Sequence, residues 1–183
     1  QITYWGSCNG SAASASVGNN SITFSSLSEG TYSNCTITVT DSDDNAASIN
    51  VNSFTVDTTD PVIAEVAAVT ANGNDPTPDF TFSSTKEGTV TYGGSCSSDN
   101  TSASSGNNVV TLNTLSDATY SDCTVSIQDL AGNTGNTITL TSFTVDTTAP
   151  TVASTTPANG TMTDNSSISV IFSKVMDNTT ITT

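Results

Sequence analysis

The chain contains no histidine, and only two of its 183 residues are basic, Lys86 and Lys174. Without imidazole, Ser/His and Cys/His nucleophilic pairs are excluded. Seventeen acidic residues leave a net charge of −15, and a surface of that sign has nothing with which to neutralise phosphate. Nucleic acid and anionic lipid are excluded as partners on the same ground. Such a charge suits attraction of divalent cations, or solubility in a salty medium. No apolar run approaches the ~18 residues of a membrane-spanning helix, and no window repeats its apolar residues with the helical period. No glycine-rich loop follows a strand to cradle a phosphate. The four cysteines show no Cys-x-x-Cys spacing, which argues against zinc. No catalytic set is visible, and the chain reads as non-enzymatic.

What the chain does have is a repeat. Ser53-Phe54-Thr55-Val56-Asp57-Thr58-Thr59-Asp60-Pro61 returns as Ser142-Phe143-Thr144-Val145-Asp146-Thr147-Thr148-Ala149-Pro150, changed only at Asp60 and Ala149. Self-similarity at a fixed period marks an array of units. On this register residues 1–59 are the C-terminal part of a module, 60–148 a complete one, and 149–183 the N-terminal part of a further one. The chain is thus expected to belong to something longer.

Thr and Val suit strands, whereas Asn, Asp, Gly and Ser suit turns. Alternation predicts strands over 2–8, 21–27, 36–40 and 49–56 in the first unit. In the second it predicts them over 62–69, 79–83, 89–96, 109–115, 124–128 and 138–145. Residues 72–76 read as a turn, and Lys86-Glu87-Gly88 as a hairpin-like turn. The third unit has a turn at Pro157-Ala158-Asn159-Gly160 and a strand over 167–173. Short strands with turn signals every ~8–12 residues are the pattern of an antiparallel sandwich. The expected fold class is all-β: tandem immunoglobulin-like sandwich modules in a linear array.

Cys8/Cys35 and Cys96/Cys123 have the same spacing and map onto each other between repeats. One disulfide per module is the reading, which implies an oxidising, exported location. Each bridge would stabilise its module by about 3–4 kcal/mol on the chain-entropy model. Cys96 and Cys123 fall on strands expected to be neighbours, so the bridge is expected within a sheet. Leu27-Ser28-Glu29-Gly30-Thr31-Tyr32 and Leu115-Ser116-Asp117-Ala118-Thr119-Tyr120 have the form of a tyrosine corner. Tyr32 and Tyr120 are expected to lock that corner, the alternative being contact with carbohydrate or a partner. Trp5, the only tryptophan, has Gly93 as its counterpart; it is read either as core or as a contact with another chain.

The acidic residues sit mostly in turns. Asp129 and Asn133 close the turn after one predicted strand, and the strand directions bring the preceding Asp-Thr-Thr joint to face it. Asp57 is thereby expected to meet Asp129 and Asn133, and Asp146 to meet Asp177. Oxygens so grouped can surround a hard cation such as Ca²⁺, which would stiffen the joint. The bland alternative is that they are turn formers and solvated charges.

Phe143 to Pro150, with the Asp129-to-Asn133 turn, resembles the bacterial immunoglobulin-like repeats of large surface proteins and adhesins. Pro157, Asn159, Gly160, Ile168, Val170, Phe172, Ser173, Met176 and Asp177 resemble the opening of a related domain type. The resemblance implies an exported stalk, with Ca²⁺ at some joints. Its partners would be neighbouring modules of the same or an identical chain. An alternative is a filament subunit, in which 149–183 of one chain completes the module begun at Gln1 of the next by strand addition. A further alternative, a carbohydrate-binding module, needs an exposed aromatic platform, for which only Trp5 is available.

Overall fold

A computed structural model of the chain describes residues 1–157, 162 and 167–176. Among these every regular element is a β-strand, and none is a helix long and apolar enough to cross a membrane. Residues 1–59 hold β1 (Ile2–Trp5), β2 (Gly30–Tyr32), β3 (Thr36–Thr40), β4 (Ala46–Asn50) and β5 (Phe54–Val56). Residues 60–148 hold β6 (Ile63–Ala67), β7 (Asn72–Gly73), β8 (Asp79–Ser84), β9 (Gly88–Gly93) and β10 (Ser102–Ala103). They continue with β11 (Gly106–Thr111), β12 (Ala118–Tyr120), β13 (Thr124–Asp129), β14 (Ile138–Thr139) and β15 (Phe143–Val145). A last pair is β16 (Val152–Thr156) and β17 (Ser169–Phe172).

The best-developed core lies in 60–148. One antiparallel sheet has the order β11–β8–β6 and another β10–β9–β13–β14. Because side chains alternate across a strand, β8 buries Phe80, Phe82 and Ser84 on one face. In the same way β13 buries Val125, Ile127 and Asp129. Ile63, Phe80, Phe82 and Val110 from the first sheet join Val90, Ala103, Val125 and Ile127 from the second in one cluster. Each large apolar side chain so buried contributes about 1.5–3 kcal/mol. A small sheet, β12–β15–β7, adds Tyr120, Phe143 and Val145 to the cluster.

Three local expectations need correction. The single strand expected over 138–145 is two, with β14 paired to β13 and β15 paired to β12. Its partner segment breaks too, between β12 and β13 at Ser121–Cys123, so both segments change sheets in step. The same division separates β4 from β5. Second, Asn72-Gly73 is a short parallel pairing with β15 rather than a free turn. Third, Lys86-Glu87 does not close a hairpin: β8 pairs with β6 and β11, whereas β9 pairs with β10 and β13. The segment is a crossing between sheets, tied by the Ser84 hydroxyl donating to the Lys86 carbonyl at 2.6 Å.

Residues 1–59 repeat this plan with less support. Their sheets are β1–β3–β4 and β2–β5, and the buried cluster is Cys8, Tyr32 and Cys35, with Phe24, Leu27, Val51, Phe54 and Val56 partly buried against it. The strand expected over 21–27 reduces to one bridge, Gly10 to Phe24. Its counterpart β11 is held along its length by β8, and residues 1–59 contain no equivalent of β8.

One disulfide stands in each repeat, Cys8–Cys35 and Cys96–Cys123, with Cα–Cα distances of 5.4 and 5.1 Å. Each joins the ends of neighbouring strands in one sheet, β1 with β3 and β9 with β13. Gly94 makes the approach possible: its φ is +71°, and a side chain there would strike the Asp122 carbonyl. The tyrosine hydroxyls turn back on their own loops, Tyr32 donating to the Ser28 carbonyl at 2.8 Å and Tyr120 to that of Ser116 at 2.9 Å.

The last pair, β16 with β17, is antiparallel, and every residue of both strands is exposed. The turn expected at Pro157-Ala158-Asn159-Gly160 lies, beyond Pro157, outside the described residues, and so does Asp177.

Candidate functional site at the repeat joints

The segment Asp57-Thr58-Thr59 leaves β5 and enters the next repeat, and three elements converge on it. The loop before β2 supplies Glu29, whose carboxylate accepts from the Thr58 N–H at 2.9 Å and from the Thr59 hydroxyl. The crossing between β8 and β9 supplies Lys86. Its ammonium donates to Asp57 Oδ1 and Oδ2 at 2.6 and 2.8 Å, to Asp129 Oδ2 at 2.9 Å, and to the Thr59 carbonyl. The turn after β13 supplies Asp129 and Asn133. Asp129 Oδ1 accepts from the N–H groups of Ala131 and Asn133, at 3.0 and 2.9 Å, which is why this sequence turns here. Asn133 Nδ2 then reaches back to the Asp57 carbonyl at 3.1 Å.

Alternation along β13 turns Asp129 inward, so its side chain is only 3 % exposed. A buried carboxylate must be paired and hydrogen-bonded, and this one is both. The Asn133 amide and the Lys86 ammonium hold its carboxyl well below the usual range, against the opposing effect of burial. The Lys86 pKa is raised in turn, chiefly by the hydrogen bond to Asp57 and further by Asp129. Glu29 is lowered by the Thr59 hydroxyl and the Thr58 N–H.

The second joint has the same parts. Asp117 accepts from the Thr147 N–H at 2.8 Å, the Thr147 hydroxyl at 2.7 Å and the Thr148 hydroxyl at 2.6 Å. These bonds, that of Thr148 foremost, hold its carboxyl well below the usual range. The Lys174 ammonium contacts both oxygens of Asp146 and the Thr148 carbonyl at 2.6 Å. Both basic residues of the chain therefore stand at the same place in successive joints.

Of the expected cation ligands, Asp57, Asp129 and Asn133 meet, while Asp177 lies outside the described residues. Lys86 occupies the position between the carboxylates, and Asn133 presents N–H groups rather than its oxygen. As they stand, these residues do not fit Ca²⁺, which takes 6–8 oxygens. Among the described residues no three His, Cys, Asp or Glu side chains gather as a metal set. The turn Asp41–Asn45 has the same internal bonds as Asp129–Asn133, with Asp44 at φ 61° where the second copy uses Gly132. Trp5 is 67 % exposed at the end of β1.

Sequence reasoning did not single out Lys86, Lys174, Glu29 or Asp117. A signal was present: each pair stands at matching places in the two repeats, and the lysines are the only basic residues. Comparison with protein-family models, curated proteins and solved structures finds no match for this chain.

Proposed function

We propose that the chain is part of a non-catalytic stalk: immunoglobulin-like sandwich modules of an exported surface protein, held in line by lysine-bridged joints. The observation that carries this reading is the placement of both basic residues, in a chain of net charge −15, against the Asp-Thr-Thr segments between repeats. A network of charge-assisted hydrogen bonds is directional, and such bonds select one geometry among many. Glu29 and Asp117 act in the same sense, since each fixes the Thr-Thr backbone to the loop of the preceding repeat. The disulfides support an exported location, because such bridges persist in oxidising compartments. The likeness to bacterial surface repeats supports it also, through the Phe-Thr-Val-Asp-Thr-Thr motif.

The test is backbone ¹⁵N relaxation across residues 1–148. A stiff joint makes the two repeats tumble as one elongated rotor, and Lys86→Met loosens them. Independent tumbling of the wild-type repeats sinks the stalk reading. The carbohydrate-binding alternative rests on exposed Trp5, and a glycan array would have to show binding lost in Trp5→Ala.

A further inference from the structure

In the central repeat, the segment entering from one joint and the segment leaving for the next lie side by side and run the same way. β7 and β15 pair in parallel, Asn72 with Thr144 and Gly73 with Val145. The Thr144 N–H donates to the Ala71 carbonyl and the Asp146 N–H to the Gly73 carbonyl, both at 2.9 Å. The alignment begins well before β7. Asn136 Oδ1 accepts from the Ile63 N–H, and Asn136 Nδ2 donates to the Ile63 carbonyl, both at 2.9 Å. The Glu65 carboxylate accepts from the Thr141 N–H at 3.1 Å and from the Thr141 hydroxyl at 2.6 Å. Ile63–Asn136, Ala71–Thr144 and Gly73–Asp146 are equally far apart in sequence, so the two segments advance together from the entry joint to the exit joint. Gly135 lets them close in, since a side chain there would strike the Pro61 carbonyl.

A pull along the array enters this repeat at Pro61 and leaves it after Asp146. It draws the entry segment back toward Asp57 and the exit segment on toward Thr148, along their shared direction and in opposite senses. Hydrogen bonds between paired strands run across the strands rather than along them. These ties are therefore loaded in shear, all together, whereas strands peeled from one end lose their bonds one at a time. The β6–β8 pairing is loaded in the same sense, because β6 is drawn along its own length past β8. The disulfide sets how much chain follows when the ties break. Cys96–Cys123 closes a loop that contains neither the entry nor the exit segment, so residues 97–122 stay out of the line of force.

We propose that the parallel alignment of 61–73 with 136–146 is a tension clamp, by which the central repeat resists pulling along the array, and that the Cys96–Cys123 bridge limits its extension once the clamp opens. This rests on the stalk reading above and assigns the place inside one repeat where a stalk would bear force.

The test is single-molecule force spectroscopy on the 183-residue chain, held by handles at its two ends. The longest unfolding step belongs to the central repeat. Reducing the disulfide lengthens that step by roughly 90–100 Å, at about 3.3–3.6 Å per residue over a sequence separation of 27; an unchanged step overturns the bridge's part in the proposal. Forced unfolding is governed by the unfolding rate. At constant force, Glu65→Ala and Asn136→Ala each unfold about fivefold faster, the effect of about 1 kcal/mol lost from the barrier. Val90 is buried in the core away from the clamp. Val90→Ala lowers the urea midpoint at least as much but leaves the forced rate near that of wild type. Clamp variants with the wild-type rate overturn the proposal, and so does a Val90→Ala that unfolds under force as fast as they do. Moving one handle from the N-terminus to position 74 needs no clamp variant, so the test survives if one fails to fold. That pull separates β7 and β15 from the same end and unzips them, and the repeat opens at a lower force than when pulled from its ends. An equal or higher force overturns the clamp. The relaxation measurement reads the joint and not the inside of a repeat, so the stalk reading and the clamp fail separately.

Discussion

Asp129, almost wholly buried, has its balancing charge 2.9 Å away on Lys86, which lies in the crossing between β8 and β9 of the same repeat. The same ammonium reaches Asp57 of the preceding repeat. One lysine thus neutralises a core-facing carboxylate and ties two repeats together.

Removing that charge should be costly. Lys86→Met leaves Asp129 buried without a cation, and we expect a clear drop in the urea midpoint of residues 60–148, smaller than for a fully buried pair because Lys86 is partly exposed. Asp129→Asn should cost less, since it keeps a hydrogen-bonding side chain in the turn. The double variant should recover part of the Lys86→Met loss, because the penalty belongs to the uncompensated charge. Urea denaturation measures all three, and a double variant no better than Lys86→Met would refute this account.

Acid should act through the same group. The folded pKa of Asp129 is depressed, so its contribution is present above the unfolded value of about 4 and is lost as pH falls through the folded value. Glu29, Asp41 and Asp117 shift in the same direction. Lys86 is raised, so its contribution is present below about 10.4 and lost above. Melting temperature should be flat from about pH 5 to 10 and fall on either side, and Asp129→Asn should flatten the acid limb. A wild-type midpoint that rises as pH drops below 4 would contradict the sign.

Some of this was legible in the chain and some was not. Strand content could be read because Phe80-Thr81-Phe82 and Val125-Ser126-Ile127 alternate strictly, and cysteine pairing because the spacing recurs. The sheet change inside 138–145 could not be read: period-two alternation does not say which partner a strand has, and the change is set by the break at Ser121–Cys123. Asp57, Asp129 and Asn133 could be brought together from strand direction alone. The lysine between them could not, because the crossing at Lys86 looked like a hairpin turn, and a hairpin would have carried it elsewhere.

The disulfides should matter unequally. Each closes a loop whose entropy cost in the unfolded chain is about 3–4 kcal/mol. Residues 1–59 bury only Ile2, Cys8, Tyr32 and Cys35, whereas the central repeat has a core drawn from every one of its sheets. Reduction should therefore melt 1–59 first while 60–148 persists at a lower midpoint. Hydrogen exchange with and without reductant would show β1 and β3 losing protection before β9 and β13; simultaneous loss would mean that the repeats unfold as one unit.

Calcium provides the last test of the joint. With Lys86 present, the carboxylates of Asp57 and Asp129 already share a cation, and we expect the wild-type melting temperature to be the same in calcium and in chelator. Lys86→Gln removes the ammonium but leaves both carboxylates and the Thr59 carbonyl facing the same space. That set is rich in oxygen, as calcium requires. The variant should become calcium-dependent, gaining about 4–8 °C for each kcal/mol of binding linkage. If chelator lowers the wild-type midpoint instead, a divalent ion displaces Lys86 in solution, and the ammonium is not the cation of the working joint.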